Sequence, residues 1–134
     1  MSDREEGCPF CSKGFEEIIL ENDLAMAFYD AFPVNPGHVL IVPKRHIESL
    51  FEAGSDEIAA MNDLLLKVRE ALDARFKPDG YNIGVNVGRA AGQTIFHLHV
   101  HVIPRYEGDV PDPRGGIRRI KKSLVPYLAE GEEE

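Results

Sequence analysis

The stretch that decides the fold is Ile95-Phe96-His97-Leu98-His99-Val100-His101-Val102-Ile103-Pro104. Its alternation of histidine with aliphatic residues is typical of a β-strand, in which successive side chains point to opposite faces. The three imidazoles therefore share one predicted face, spaced about 7 Å apart along the strand. Because imidazole can accept a proton, donate one, bind a metal or attack near neutral pH, we expect this face to carry chemistry.

The bulk properties of the chain limit its class. Its 134 residues are enough for one domain with a hydrophobic core. The net charge of -8 speaks against a nucleic-acid partner, because phosphate binding needs a basic footprint. The sequence has no apolar run of the ~18 residues that span a bilayer, and its N-terminus lacks the apolar core of a signal peptide. We therefore expect no membrane partner and a cytoplasmic location.

The charges are distributed unevenly. A late basic cluster could pack on a partner subunit, contact substrate phosphates or be solvated, and the acidic C-terminal run is expected to be a solvated tail. The basic cluster, within residues 114–122, is Arg114, Arg118, Arg119, Lys121 and Lys122, and the acidic run is Glu130, Glu132, Glu133 and Glu134.

Hydrophobic patterning predicts an α+β fold with a five-stranded antiparallel sheet, one long helix and one short helix. The long helix is predicted over residues 56–76, with Ser55 as its N-cap. We expect a single domain over residues 1–134, with a core at about 8–105 and a C-terminal tail at 106–134. The predicted strands are Glu17–Glu21, Leu24–Tyr29, His38–Val42, Tyr81–Val87 and residues 95–103, and the short helix is a turn at Ile47–Phe51.

The only two cysteines, Cys8 and Cys11, lie in a Cys-Pro-Phe-Cys motif. This spacing indicates either a metal site or a redox site in a chain without secretion signals. A redox pair usually opens a helix that follows a strand, and no strand precedes this pair. The motif therefore favours metal, and zinc would need two further nitrogen or sulfur ligands to complete a tetrahedron.

The pattern at residues 97–103 resembles the signature of the histidine triad family of nucleotide hydrolases and transferases. The run from Asn35 to His46 is similar to the strand that precedes the triad in this family, and the resemblance covers about residues 8–105. It implies a histidine triad fold and a homodimer. In relatives that keep the two cysteines, it also implies that His46 and His97 join Cys8 and Cys11 in a structural zinc site.

His99 is the best candidate for the nucleophile, because it is the middle histidine and has an imidazole on each side. Attack on phosphorus requires one bare ring nitrogen, with the other nitrogen held as a donor. The resemblance implies the same role, through a nucleotidyl-histidine intermediate that water resolves. His101 and His38 are expected to donate to phosphate oxygens or to stabilise charge in the transition state.

Five further residues are expected to hold a purine nucleotide. In the loop Gly92-Gln93-Thr94, glycine lets backbone amides approach a phosphate, and the two polar side chains add donors. Asn86 and this loop lie at the offsets from the triad that the family uses. Asp30 lies where the family holds a ribose.

The most specific expectation is a hydrolase of dinucleoside polyphosphates such as diadenosine tetraphosphate, cleaved at the α-phosphorus. Pro104-Arg105 resembles that branch, found in bacteria and archaea, more than the phosphoramidate branch, which tends to carry glycine there. A nucleoside phosphoramidate hydrolase and a phosphorylase that uses inorganic phosphate are the enzymatic alternatives. A non-catalytic, zinc-stabilised nucleotide-binding module and a redox protein are alternatives from other classes.

Overall fold

The structure, a computed structural model, describes residues 5–14 and 17–121. Lys122 of the basic cluster and the acidic run at 130–134 lie outside these residues. The described chain contains a five-stranded antiparallel sheet and one long helix, which confirms the predicted α+β class. The strands are β1 (Ile18–Glu21), β2 (Ala25–Tyr29), β3 (Val39–Pro43), β4 (Gly80–Gly84) and β5 (Val100–Arg105), in the spatial order β1-β2-β3-β5-β4, and the helix is α1 (Ser55–Phe76).

Helix α1 packs across β1, β2 and β3 through its apolar stripe. The predicted N-cap was wrong by one residue, because the helix begins at Ser55 and Gly54 occupies the cap position. The carboxylate of Glu57 accepts the Gly54 N–H at 3.0 Å, which satisfies an amide that would otherwise lack a partner at the helix start. Within the described chain, no helix has the length and apolar character needed to cross a membrane.

The two faces of the sheet bury different sets of residues, as alternation along the strands requires. The face under α1 holds the larger core, and the opposite face is covered near β2 and β3 by the loop that carries the two cysteines. The larger core comprises Ala25, Ala27, Val39, Ile41, Ile47, Met61, Leu64, Val68, Leu72, Leu98 and Val102. The opposite cluster comprises Cys8, Phe10, Cys11, Met26, Phe28, Leu40 and Val42.

The histidine strand starts later than predicted, at Val100 instead of residue 95. Ladder pairing with β3 ends at the Ile41–Val100 pair, and the Leu98 amide instead donates to the Ile47 carbonyl at 2.7 Å. Leu98 nevertheless points to the predicted face of the sheet, because it packs in the core under α1. Two other elements are also shorter than predicted: β4 ends at Gly84, and the turn expected at Ile47–Phe51 is a 3-10 turn at Leu50–Glu52.

Candidate active site and metal cluster

His99 is oriented by the backbone of its own segment. Its Nδ1 lies 2.8 Å from the carbonyl oxygen of His97. Because a carbonyl can only accept, Nδ1 carries the proton and Nε2 keeps its lone pair. The ring is 93% buried, with the edge of Phe10 at a centroid distance of 5.1 Å and the ring of His101 at 5.0 Å. The imidazole is thus fixed in the tautomer that a nucleophile needs.

A hydrogen bond of defined direction joins the imidazoles of His38 and His101. The amide of Val34 donates to Nδ1 of His38 at 3.0 Å, so the His38 proton resides on Nε2. That nitrogen donates to Nδ1 of His101 at 3.0 Å, which leaves the single proton of a neutral His101 on its own Nε2. Burial, followed by the nearby His99 and His38, lowers the pKa of His101 to about 4.

The turn before His38 explains how β3 presents this side chain. Gly37 has a φ of +89°, and a Cβ there would lie 2.9 Å from the ring of Phe76. Only glycine fits this position without strain. The carbonyl of His38 accepts the Asp30 amide at 2.9 Å, and the Asp30 carboxylate lies 3.5 Å from the His38 Nε2. Burial lowers the pKa of His38 more than this carboxylate raises it, so the ring is held neutral at pH 7.

The four predicted metal ligands come together. One ligand atom from each of Cys8, Cys11, His46 and His97 lies within 4.8 Å of all the others. The His97 Nδ1 is 3.5 Å from both sulfurs, and the His46 Nδ1 is 3.3 Å from the Cys11 sulfur. A tetrahedral zinc site with bonds of about 2.0–2.3 Å has edges of about 3.3–3.8 Å. The sulfur–nitrogen distances fit such a site.

Each histidine of this cluster is oriented by a polar contact at its Nε2 atom. The Nε2 of His97 donates to the Pro43 carbonyl at 2.8 Å, and the Nε2 of His46 lies 3.1 Å from a Glu5 carboxylate oxygen. Protons on the two Nε2 atoms leave the Nδ1 lone pairs facing the thiols. Partners of this kind orient metal-binding histidines. The sequence did not single out Glu5, which lies in a polar lead-in without a recognisable pattern.

A second group of metal-binding side chains has the wrong proton arrangement. Ligand atoms of Asp30, His38 and His101 also lie within 4.8 Å of one another. A metal on the Nε2 of His38 would move the proton to Nδ1, where it would face the Val34 N–H. These side chains are therefore better suited to fix one another's orientation through hydrogen bonds than to bind a metal.

A cleft of about 430 Å³ lies beside His99 and His101. Its other lining residues include some that the sequence singled out and some that it did not. Asp30, Asn86, Gly92 and Thr94 were expected there. The aromatic wall of Phe10 and Phe28 was not expected, although Phe28 carried a signal: it lies in β2 two residues before Asp30, and residues two apart in extended chain point to the same side.

Gln93 is placed differently from its neighbours. Its side-chain oxygen accepts the Gly88 amide at 2.9 Å, and its side-chain nitrogen donates to the carbonyls of Glu48 and Ile95 at 2.9 and 3.1 Å. The residue is 95% buried, and its side chain ties the loop together and joins it to the Glu48 carbonyl. The sequence predicted a side-chain donor for the ligand, whereas the structure gives Gln93 the work of shaping the loop around Gly92 and Thr94.

Comparison with known proteins gives a consistent result. The sequence profile of the HIT domain matches residues 14–108. An uncharacterised HIT-like protein of Saccharolobus solfataricus is 35% identical over 94% of this chain and 88% of its own length. Adenylylsulfatase HINT3 of Arabidopsis thaliana is 37% identical over 78% of this chain and 55% of its own length. The crystal structure of a hypothetical histidine triad nucleotide-binding protein of Sulfolobus tokodaii aligns with a TM-score of 0.70 and 39% identity, covering 89% of this chain and 78% of the other.

Proposed function

Because the chain belongs to the HIT-domain family, we propose that it is a nucleotide hydrolase or nucleotidyltransferase that cleaves at the α-phosphorus through a nucleotidyl-His99 intermediate. The observation that carries this proposal is the hydrogen bond from the His99 Nδ1 to the His97 carbonyl. It leaves a bare Nε2 in a ring that lines the 430 Å³ cleft. An imidazole held in this way is ready to attack.

The proposed reaction has two displacements at phosphorus. In the first, the Nε2 lone pair of His99 forms a nitrogen–phosphorus bond, and the bond from phosphorus to the leaving group breaks with its electron pair. The substituted ring is cationic, and the His97 carbonyl stabilises it through the retained Nδ1–H. In the second, water attacks the phosphorus, the His99 Nε2 recovers its lone pair, and the proton from water passes to solvent.

The remaining residues are assigned to binding and charge stabilisation. The Nε2–H of His101 would donate to a phosphate oxygen, and His38 would keep His101 in that tautomer. Asp30 would hold the ribose, with Asn86 and the backbone of residues 92–94 near the phosphate. Gln93 would support that loop through the hydrogen bonds of its side chain to Gly88, Glu48 and Ile95.

We further propose that this cleft holds the nucleobase, which is a purine in the expected substrates, because the cleft offers flat apolar walls. The rings of Phe10 and Phe28 lie 5.4 Å apart and both line the cleft. The ammonium of Lys13 lies 4.6 Å from the Phe28 ring, which places a cation at the same wall. Aromatic faces stack on nucleobases with a gain of about 1–3 kcal/mol per base.

Zinc is proposed as a structural ion held by Cys8, Cys11, His46 and His97. Bound there, it would tie the N-terminal loop to the segment that carries His99 and would supply rigidity. Phe10 lies between the two cysteines, and its ring contacts both His97 and His99. The proposed metal would therefore hold one wall of the cleft in place, while the chemistry belongs to the imidazoles.

Among substrates, we propose dinucleoside polyphosphates such as diadenosine tetraphosphate first, for a homodimeric enzyme. Nucleoside phosphoramidates are the next candidates, with phosphorolysis as the alternative to hydrolysis. The similarity to a plant protein named adenylylsulfatase adds adenosine phosphosulfate as a substrate to test. All of these share an adenylyl group on a displaceable substituent, so the same His99 attack serves each one.

Product analysis by mass spectrometry tests this proposal. Wild type and His99→Asn are incubated with each substrate class, with and without inorganic phosphate. We expect turnover by wild type alone, and a nucleotidyl adduct in the intact mass of rapidly quenched wild type. Binding without turnover of any substrate would refute the enzyme hypothesis and favour a non-catalytic nucleotide-binding module. Turnover by His99→Asn would refute the assignment of His99 as the nucleophile.

A further inference from the structure

Lys13 is the one lysine or arginine among the described residues that line the cleft of about 430 Å³ beside His99. It follows the two cysteines, and its amide donates to the Phe10 carbonyl at 3.5 Å. The residue is half-buried, and its ammonium lies 4.6 Å from the centroid of the Phe28 ring, which is a cation–π contact. Within residues 5–14 and 17–121, no carboxylate forms an ion pair with this ammonium. Its N–H groups are therefore available to a ligand in the cleft.

The place of Lys13 along the cleft follows from a series of ring contacts. The Phe10 ring lies 5.1 Å from the His99 ring and 5.4 Å from the Phe28 ring, measured between centroids. Lys13 contacts Phe28, the second aromatic ring in this series from His99. In the proposed function, the α-phosphorus faces His99 and the base lies against the two phenylalanines. The ammonium is therefore placed at the end of the cleft that receives the base.

An ammonium distinguishes purines by the polar groups on their edges. It has three N–H donors and no acceptor. Guanine presents two neighbouring acceptors, O6 and N7, whereas adenine presents the acceptor N7 beside the donor N6–H₂. Because two donors cannot form a hydrogen bond with each other, adenine loses one of the two contacts and sets its amino group against the ammonium. Paired with O6 and N7, lysine or arginine forms the commonest specific contact to guanine in protein–DNA complexes.

We infer that Lys13 determines base selectivity, and that the cleft prefers the 6-oxo purines, guanine and hypoxanthine, to adenine. This inference rests on the proposed function, which makes this cleft the nucleobase site. The Lys13 ammonium donates to O6 and N7 of the base, while the faces of the base lie against Phe10 and Phe28. The reaction at His99 is the same for every base, because selectivity arises at the other end of the cleft. Among dinucleoside polyphosphates, those that carry guanosine are then preferred to diadenosine tetraphosphate.

Binding of three mononucleotides tests the inference without catalysis. The dissociation constants of guanosine, inosine and adenosine 5′-monophosphate are measured by isothermal titration calorimetry. The guanosine and inosine nucleotides share O6 and N7, and only the guanosine nucleotide has a 2-amino group. Lys13→Met removes the ammonium and keeps an unbranched side chain, whereas Lys13→Arg keeps N–H donors. Lys67→Met is the matched control, because Lys67 is an exposed lysine of α1.

We expect wild type to bind the guanosine and inosine nucleotides about tenfold more tightly than the adenosine nucleotide. Lys13→Met should bring the three dissociation constants within about twofold of one another, Lys13→Arg should keep the preference, and Lys67→Met should match wild type. Equal binding of the three nucleotides by wild type, or tighter binding of the adenosine nucleotide, would overturn the inference and leave the proposed function intact.

Two other outcomes would also overturn the inference. A preference for the guanosine nucleotide over both others would assign recognition to the 2-amino group, which an ammonium cannot bind. Equal weakening of all three nucleotides in Lys13→Met would assign the ammonium to the phosphate or the ribose. Failure of all three nucleotides to bind wild type would instead contradict the proposed function itself.

Discussion

The Nε2 of His38 lies 3.0 Å from the Nδ1 of His101, and the direction of this hydrogen bond is set by a third group. The Val34 amide occupies the other nitrogen of His38, so the proton between the rings belongs to His38. His101 can then carry its own proton only on Nε2, the nitrogen that does not face His38. One backbone amide thus determines the tautomers of two imidazoles.

Substitution of His38 should release the tautomer of His101. His38→Ala removes the donor, and we expect kcat to fall about 10-fold to 100-fold as His101 loses its fixed Nε2–H. His38→Gln, whose amide nitrogen can replace the Nε2–H donor, should retain most of the activity. Long-range ¹H–¹⁵N spectra of the His101 ring would report the tautomer directly. An unchanged tautomer in His38→Ala would contradict this account, whatever the activity.

The free energy of unfolding should decrease as the pH is lowered, because His101 is buried as a neutral ring. Its folded-state pKa is lowered to about 4 from the ordinary 6.5 by burial, then by His99 and His38, with Asp30 opposing them. Between these two values the unfolded chain binds a proton that the native chain does not. The free energy of unfolding therefore decreases as the pH falls from about 6.5 to about 4, by at most about 1.4 kcal/mol per pH unit for this imidazole.

Urea unfolding of wild type and His101→Gln at a series of pH values measures this effect. The two curves should approach each other as the pH falls, because the variant lacks the titrating group and the other histidines contribute to both. Parallel curves between pH 7 and pH 4.5 would mean that His101 does not titrate abnormally.

The purified protein should contain about one zinc ion per chain, because the four candidate ligand atoms lie within 4.8 Å of one another and their sulfur–nitrogen distances of 3.3 and 3.5 Å fit a tetrahedral site. Cys8→Ala should lose the metal and unfold at a lower temperature. His101→Gln is the matched control, since it alters the other group of metal-binding side chains and should keep its zinc. Elemental analysis after growth in zinc-replete medium, with cobalt substitution to report thiolate coordination, measures both. Metal-free wild type would refute the zinc assignment.

Leu98→Ala should destabilise the protein by about 2–5 kcal/mol, because Leu98 is 99% buried under α1 and its loss leaves a cavity. Leu66→Ala, at a position on α1 that is 57% exposed, should cost less than about 0.5 kcal/mol. Chemical denaturation of both variants gives the comparison. A cost below 1 kcal/mol for Leu98→Ala would place the histidine segment less firmly on the core than the packing indicates.

The sequence predicted the sheet, the long helix and the sidedness of the histidine segment, because all three follow from hydrophobic period. It could not locate the start of β5. Local pattern at Phe96–His99 is that of a strand, but the His97 imidazole and the Leu98 amide are engaged by the distant Pro43 and Ile47 carbonyls. Those partners arise only once β3 and the following turn are in place.

The candidate site also has features that the sequence predicted and features that it could not predict. Residue type and spacing pointed to His99, Cys8 and Cys11, and the resemblance to the histidine triad family pointed to His46 and His97. The structure brings the two cysteines together with His46 and His97. The inward use of Gln93 and the Glu5 contact with His46 depend on tertiary neighbours, and no sequence period carries that information. A cleft of about 700 Å³ beside His101 was not predicted, because residues that line it, such as Ile83, Ile103 and Ile117, come from segments far apart in the chain.

Leu98 separates His97 from His99, and the two rings on its flanks face the cysteine loop and the cleft while Leu98 itself faces α1. A single-residue insertion or deletion at this point would exchange those directions. It would drive an imidazole into the hydrocarbon interior and push a leucine into the polar site. A change of length between these two histidines would therefore disrupt the thiol cluster and the candidate active site in one genetic event.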